Sequence, residues 1–279
     1  MLTLLKRDSH MLIDIGVNLS NSRFQKSIED VLLRAKSAGV EKMILTGTSI
    51  SDSESVISIC KQYKDQFPDS LYATAGVHPH DADKFNADSA NKLNQLCKEK
   101  PVVAVGETGL DFNRHLSDPT KQERAFESHI EIALKHDLPL FLHERDAAKR
   151  QLDIIRSHVN QFPKSVIHCF TGDKKTLFSY LDLDLYIGIT GWICDERRGL
   201  DLQNLVKNIP LDRLMIETDA PYLIPRTMPN PPKNKCNEPS FLKYVIDEIA
   251  NHREESSEVL EVATSSTAIE FFNLNNANQ

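Results

Sequence analysis

Short apolar runs alternate with amphipathic stretches along nearly the whole chain. Each run has the length of a buried strand, and continuous apolar runs are typical of parallel strands that are covered on both faces. Helical patterns lie between most of them; in one, Ile28, Val31, Leu32 and Ala35 fall on a single face. The eight runs span 11–19, 42–48, 71–78, 102–111, 138–146, 165–170, 185–190 and 214–221.

Eight strand–helix units in about 210 residues predict an α/β fold, a TIM-type (β/α) barrel that forms a single domain. We assign residues 11–272 to the barrel, 1–10 to an N-terminal extension that need not be ordered, and 273–279 to a frayed tail. Met11, where the first strand begins, is an alternative start to Met1. An open doubly wound sheet is the alternative fold, but no GxGxxG or P-loop pattern follows the first strand.

Composition narrows the classes of function. The net charge of −7 disfavours a protein that coats long stretches of duplex, because such proteins carry a basic face. Five cysteines without CxxC spacing argue against a disulfide framework and indicate a reducing compartment. No apolar run approaches the length of a membrane span, so we expect a cytoplasmic enzyme with no membrane partner.

Four residues of the types that bind metals each close an apolar run. They are Glu107, His143, His168 and Asp219. The carboxyl ends of barrel strands converge on one face, so these side chains should meet in one pocket. Carboxylates and imidazoles in one pocket can bind a divalent cation and activate water. The pattern therefore predicts a metal-dependent hydrolase with these four residues as candidate ligands.

Other residues have predicted roles around that centre. Asp219 is placed to take a proton from a metal-bound water or to bind the metal directly. Glu217, on the same side of the strand and one layer deeper, is a candidate to orient a ligand; a buried ion pair is the alternative. His78 ends the third strand and is a candidate contact for a substrate oxyanion, with packing of the loop that contains His80 as the alternative.

Cations follow several predicted strands, which suggests an anionic substrate on an otherwise acidic protein. Trp192, the only tryptophan, is a candidate lid or a platform for stacking a base. A proline-rich loop, 225–240, follows the last strand and is expected to lie over the pocket mouth. The candidate substrate-binding residues are Arg114, Arg145, Arg197 and Arg226, with His115 and Arg198 beside them.

The same segments, in this order, resemble the TatD family of metal-dependent deoxyribonucleases, a branch of the amidohydrolase-like barrels. The resemblance extends from Met11 to Phe272 and is carried by DIGVNL, AGVHPHD, GETGLDFNR, HCFTG, IGITGWICDERRG and IETDAPYLIPR. It implies a TIM-type barrel, Mg²⁺, and a 3′→5′ exonuclease that prefers single-stranded DNA and also degrades RNA. It also implies a role in DNA repair or DNA degradation.

Matched by motif, the resemblance assigns metal binding to Glu107, His143 and His168, catalysis or metal binding to Asp219, and a substrate contact to His78. Mn²⁺ and Zn²⁺ are alternatives to Mg²⁺ on the chemistry of these ligands.

The first strand departs from most of the wider family, which has His-x-His at its end. This chain has Gly16-Val17-Asn18 there, as the TatD subgroup does. Loss of two imidazoles leaves a more oxygen-rich site, which favours Mg²⁺ over Zn²⁺. Whether one metal ion acts or two stays open.

Two other functions compete with a nuclease. Barrels of this kind also cleave esters and amides, so a metal-dependent esterase or amidohydrolase, such as a deacylase of misacylated tRNA, is the alternative enzyme. A non-catalytic scaffold is the third, and the retention of Glu107, His143, His168 and Asp219 argues against it. We expect a monomer whose partner is nucleic acid as substrate.

Overall fold

The computed structural model describes residues 11–158 and 161–274. It contains eight parallel strands that alternate with helices. The strands are β1 Leu12–Val17, β2 Val40–Leu45, β3 Leu71–Ala75, β4 Val102–Asp111, β5 Leu140–Arg145, β6 Ser165–Ile167, β7 Tyr186–Ile189 and β8 Leu214–Ile216. The α-helices are α1 Ile28–Ser37, α2 Ile50–Tyr63, α3 Ala87–Leu96, α4 Pro119–His136, α5 Ala148–Ser157, α6 Lys174–Leu181, α7 Leu200–Leu205, α8 Leu242–Ala250 and α9 Ser257–Phe272.

The strands form one parallel sheet whose spatial order is the order of the sequence, β1 to β8. The sheet closes where β8 meets β1. There, the Asp219 N–H donates to the Gly16 carbonyl at 2.9 Å and the Asn18 N–H donates to the Ala220 carbonyl at 2.8 Å. The predicted TIM-type barrel is therefore confirmed, and the open doubly wound sheet is wrong, since that fold reverses the strand order at its centre.

The hydrophobic core has two layers. One lies inside the barrel and includes Ile13, Ile44, Phe141 and Met215; the other lies between the strands and the surrounding helices. This division explains why the strands read as continuous apolar runs, because both faces of each strand are buried. Inside the barrel, the ring of Phe141 stacks at 4.8 Å on His168, so the inner core also supports the floor of the polar site above it.

The junction of β8 and β1 contains a buried carboxylate. Asp14 is fully buried and accepts hydrogen bonds from the backbone N–H of Thr218 at 2.9 Å and of Gly16 at 3.3 Å. Burial raises the pKa of Asp14 to about 8. The bond from Thr218 links the first strand to the segment that follows the last strand, beside the residues that enter the site.

The C-terminal helix α9 closes the lower end of the barrel. Phe271, Phe272 and Leu274 pack on the interior cluster, and the Tyr72 hydroxyl donates to the Leu274 carbonyl at 3.0 Å. Ordered packing thus continues two residues past the boundary predicted at Phe272. The predicted extension, 1–10, and residues 275–279 of the tail lie outside the described residues.

Two further expectations concern cysteines and membranes. All five cysteines are free thiols. Within the described ranges, no helix combines the length and the apolar character that a membrane span needs.

Candidate active site

A polar pocket of about 570 Å³ opens at the carboxyl ends of the strands. Its size is within the range of pockets that hold small-molecule ligands. It contains all four predicted metal ligands, Glu107, His143, His168 and Asp219, together with His78. Residues separated by more than a hundred positions meet here because β3, β4, β5, β6 and β8 all end at this face.

Glu107 is the centre of the cluster. Its Oε1 lies 2.9 Å from His168 Nε2, 3.0 Å from His143 Nδ1 and 3.3 Å from His78 Nε2. Glu107 is only 5% exposed and His168 only 6%, so both are removed from bulk water, whereas His78 and His143 are partly exposed at the pocket. Such a set of one oxygen and several nitrogens at short range is suited to a divalent cation.

Two of these histidines are oriented by a second carboxylate. His143 Nε2 lies 3.1 Å from Asp111 Oδ2, and His168 Nδ1 lies 3.3 Å from Glu217 Oε2. A carboxylate accepts a hydrogen bond, so it holds the ring proton on the nitrogen that faces it. With one proton held on that side, the nitrogens of His143 and His168 that face Glu107 are the ones that a cation would use, in place of the protons they otherwise share with Glu107.

His78 has the opposite orientation. Its Nδ1 accepts the His80 N–H at 3.0 Å, so the neutral ring carries its proton on Nε2, the atom that points toward Glu107. By distance alone, the compact set within 4.8 Å is His78, Glu107 and His143. The hydrogen bonds instead favour His168 over His78 as the second imidazole ligand. His78 is placed as a hydrogen-bond donor, and its predicted contact to a substrate oxyanion stays a prediction.

The pKa shifts indicate where positive charge is needed. Burial alone would lower the pKa of His143 and His168. Hydrogen bonds that His143 donates to Asp111 and Glu107 raise the pKa of His143, and the charges of Glu107 and Glu217 raise that of His168 well above its usual value. Burial would raise the pKa of Glu107, but the neighbouring imidazoles hold it well below its usual value. The positive charge of protonated imidazoles thus balances the negative charge of the buried carboxylates. A bound cation at Glu107 could provide the same positive charge.

Glu217 lies under the pocket and is completely buried. Besides His168, its carboxylate accepts the backbone N–H of Cys169 at 2.5 Å. Two glycines leave the space that this carboxylate occupies: a Cβ on Gly188 would lie 2.7 Å from Oε1, and a Cβ on Gly16 would collide with Oε2. The predicted orienting role of Glu217 therefore has a matching geometry.

Asp219 enters the pocket from the β8–β1 junction. Asn18 Nδ2 donates to its Oδ1 at 2.9 Å, and its own backbone N–H donates to the Gly16 carbonyl. Burial raises the pKa of Asp219 to about 7. The Asn18 side chain, at one of the two positions where most of the wider family has histidine, thus fixes this carboxylate.

Two of the four predicted substrate-binding arginines line the pocket. Arg114 and Arg145 both contribute to its wall. Arg145 donates to Thr171 Oγ1 at 3.0 Å, and its guanidinium lies 5.3 Å from the centre of the Trp192 ring. Among the described residues, neither arginine has a carboxylate within ion-pair distance. Their charges are therefore available to an anionic ligand.

The other two predicted arginines do not line the pocket. Arg197 pairs with Asp195 at 3.3 Å, as does Arg198 at 2.9 Å, and Arg226 pairs with Glu196 at 2.7 Å. Their charges are compensated on the outer surface. The roles predicted for Arg197 and Arg226 remain predictions.

The proline-rich loop, 225–240, also stands away from the pocket wall. Asn237 donates to the Thr218 carbonyl at 2.9 Å, and Glu238 pairs with Arg34 of α1 at 2.7 Å. Glu238 thus holds the end of the loop against the first helix, whereas Arg226 at its beginning pairs with Glu196.

Sequence reasoning missed two residues of the site. Asp111 orients both His143 and His80, with His80 Nε2 at 2.8 Å from its Oδ2. Its position four residues after Glu107 in the same strand, on the same side by the two-residue period, was the available signal. Tyr222 also lines the pocket and is 51% exposed. Its place in a loop offered no signal in the pattern.

Comparisons with known proteins agree with this geometry. The family described as "TatD related DNase" matches residues 13–273. A protein of Pectobacterium parmentieri named "3'-5' ssDNA/RNA exonuclease TatD" is 45% identical over 263 residues, which is 94% of this chain and all of that protein. A Salmonella typhimurium protein of the same name is 43% identical, covering 94% of this chain and 98% of that protein.

Solved structures show the same fold. A TatD family hydrolase from Entamoeba histolytica superposes with a TM-score of 0.85 at 26% identity, covering 94% of this chain and 97% of the other. The TatD homolog YJJV from Escherichia coli gives a TM-score of 0.85 at 27% identity, covering 94% and 98%.

Proposed function

The chain belongs to the TatD-related DNase family, and we propose that it hydrolyses phosphodiester bonds as a 3′→5′ exonuclease on single-stranded DNA and RNA. The observation that carries the proposal is the Glu107 cluster. One buried carboxylate oxygen lies within 3.3 Å of three imidazole nitrogens at the mouth of the barrel, beside two arginines that form no ion pair with a carboxylate of residues 11–158 or 161–274. Relatives that match nearly the full chain have this activity in their names.

The residues present fit a divalent cation, which Glu107, His143 and His168 would hold through one oxygen and two nitrogens. When bound, the cation would supply a Lewis acid for the phosphoryl oxygen and lower the pKa of a bound water. We propose Mg²⁺, because the first strand offers no imidazole at Gly16 or Asn18, with Mn²⁺ and Zn²⁺ as alternatives.

The protein's own groups then have distinct tasks. Asp219, fixed by Asn18, accepts the proton of the attacking water. His78, whose Nε2–H lies beside Glu107 at the metal position, stabilises the charge that develops on a phosphate oxygen bound there. Arg145 and Arg114 bind the phosphates of the chain that remains.

The shape of the site supports attack at an end. A pocket formed by the loops of one barrel admits a single strand end but not the middle of a stiff duplex. We therefore expect a circular single strand to be cut far more slowly than a linear one of the same sequence.

The test is hydrolysis of a short linear single-stranded DNA, labelled separately at each end, with Mg²⁺, Mn²⁺, Zn²⁺ or EDTA. Wild type should produce a metal-dependent ladder from the 3′ end, and Glu107→Gln should not. Glu123→Gln is the control, because Glu123 pairs with Arg150 on the outer face of α4. If no metal supports cleavage, the nuclease function is wrong, and the alternative function, hydrolysis of ester substrates such as misacylated tRNA, should be tested next.

Three narrower expectations remain predictions. They are a role in DNA repair or degradation, a cytoplasmic location, and a monomeric state, which sedimentation of the purified protein would measure.

A further inference from the structure

Tyr222 is an unusual residue for the wall of a polar site. It is 51% exposed although it lies three residues after Asp219 in the pocket that contains the metal-type cluster. A large aromatic side chain left in water beside catalytic groups is typical of a surface that a ligand covers.

The position of the ring is fixed at its edge. The Tyr222 backbone N–H donates to the Asp219 carbonyl at 3.0 Å, and the hydroxyl accepts a hydrogen bond from Asn21 Nδ2 at 3.0 Å. In the described part of the chain, no aromatic ring or cation stacks on this ring. The ring is therefore oriented, and its face is open.

Trp192 is the aromatic residue that the sequence analysis proposed as a stacking platform, but cations lie close to its ring and its N–H is bonded to a neighbouring loop residue. The Arg198 guanidinium lies 4.3 Å from its ring centre, that of Arg145 lies at 5.3 Å, and the indole N–H donates to the Arg198 carbonyl at 3.1 Å. Two cations already occupy the surroundings of this ring. Tyr222 is the better platform for a nucleobase.

The order of strands sets where such a base would belong. Tyr222 and Asn21 follow β8 and β1, which are neighbours at the closure of the barrel. Arg114 follows β4 and Arg145 ends β5, so their backbones lie on the opposite side of the ring, and the Arg145 guanidinium extends from there to Thr171 and Trp192, after β6 and β7. The wall formed by the loops after β1 and β2 contributes no arginine or lysine to the pocket. A chain of phosphates is therefore accommodated over the arginines, and a nucleoside with no further phosphate fits the side of Tyr222.

We propose that the ring of Tyr222 stacks on the base of the 3′-terminal nucleotide and so positions the last phosphodiester bond in the site. The proposal rests on the exonuclease function proposed above. It predicts little preference among bases, because every base presents a π face.

Abasic substrates test the contact. With wild type, an abasic residue at the 3′ terminus should lower kcat/KM for the first cleavage by about 5- to 150-fold, the loss expected for one stacked base, and an abasic residue at the next position should lower it much less. Tyr222→Leu should lose this discrimination, and Tyr222→Phe, which keeps the ring, should retain it. Phe178→Leu removes an exposed aromatic ring outside the pocket and controls for a general effect.

The result that overturns the proposal is a penalty at the second position instead of the first, or the same discrimination in wild type and Tyr222→Leu. The single tryptophan lies in the pocket, so its fluorescence reports the binding of mononucleotide or abasic phosphate in EDTA without any cleavage. If wild type cleaves nothing, the exonuclease function fails. Binding that prefers the nucleotide in wild type but not in Tyr222→Leu would still support the contact, and equal preference in both would reject it.

Discussion

Replacement of Arg145 by glutamine tests whether the pocket binds a phosphate chain through its free cations. Arg145 is half-buried, donates to Thr171 at 3.0 Å, and has no carboxylate within 4 Å in the described ranges. Because no carboxylate forms an ion pair with it among these residues, we expect it to contact substrate phosphate. Glutamine keeps a polar side chain but removes the charge and the guanidinium.

The magnitude follows from two properties of a phosphate contact. A hydrogen bond to a charged group contributes about 1.5–3 kcal/mol, so kcat/KM for single-stranded DNA should fall by about 10- to 150-fold in Arg145→Gln. Each phosphate contact on a single strand adds about −0.7 to the slope of log affinity against log salt. The slope of log affinity against log salt should therefore be less steep in Arg145→Gln than in wild type, by about 0.7.

Arg226→Gln is the matched comparison. Sequence places both arginines after strand ends, but Arg226 pairs with Glu196 at 2.7 Å and does not line the pocket. Its loss should change kcat/KM by less than about twofold, as expected for an exposed ion pair. Initial rates on a 3′-labelled strand between 50 and 300 mM salt, roughly the range in which such slopes are measured, provide the assay. Equal losses in both variants, or an unchanged salt slope in Arg145→Gln, would refute the argument.

Three other changes test the support of the site. Glu217→Gln should weaken metal binding by about 10- to 100-fold, because a neutral amide oxygen holds the proton on His168 Nδ1 less strongly than a carboxylate does. Activity titrated with metal should recover at high concentration, and an unchanged titration would contradict this. Gly16→Ala should destabilise the fold by about 1–3 kcal/mol, because the new methyl group displaces the Glu217 carboxylate, and it should shift the same metal titration. An unchanged melting temperature would be evidence against the close contact. Burial lowers the pKa of His129 to about 4, below its value of about 6.5 in the unfolded chain. The free energy of unfolding should therefore be highest above pH 6.5 and should fall by at most about 3 kcal/mol as the pH drops toward 4. In His129→Gln, that part of the pH dependence of urea unfolding should be absent, and an identical profile would show that another group is responsible.

The pattern of the sequence was sufficient for the barrel. Continuous apolar runs identified all eight strands, and the metal-type residues at their ends identified the pocket, because strand order and strand direction alone bring Glu107, His143 and His168 together. Neither the fold nor the position of the pocket depends on the conformation of a side chain. Both could therefore be predicted from a single sequence.

The pairing of charges could not be predicted in this way. Arg145 and Arg226 look alike in sequence, and only the acidic partner available to Arg226 separates a compensated surface cation from a free one in the pocket. Likewise, the roles of His78 and His168 depend on whether the far nitrogen faces an N–H or a carboxylate. Tyr222 became visible only when the loops after β8 and β1 were placed side by side.

The departure at the first strand now has a physical reason. A side chain at Gly16 would enter the space that Glu217 occupies, so a histidine there and this position of Glu217 exclude each other. Glu217 in turn fixes His168, and Asn18 fixes Asp219 by a hydrogen bond of 2.9 Å. In this chain the first strand therefore supports His168, a proposed metal ligand, and Asp219, the proposed base, without an imidazole of its own. It follows that a Gly16→His substitution alone should damage the site, because the metal position proposed around Glu107 depends on His168 and hence on the carboxylate that would be displaced.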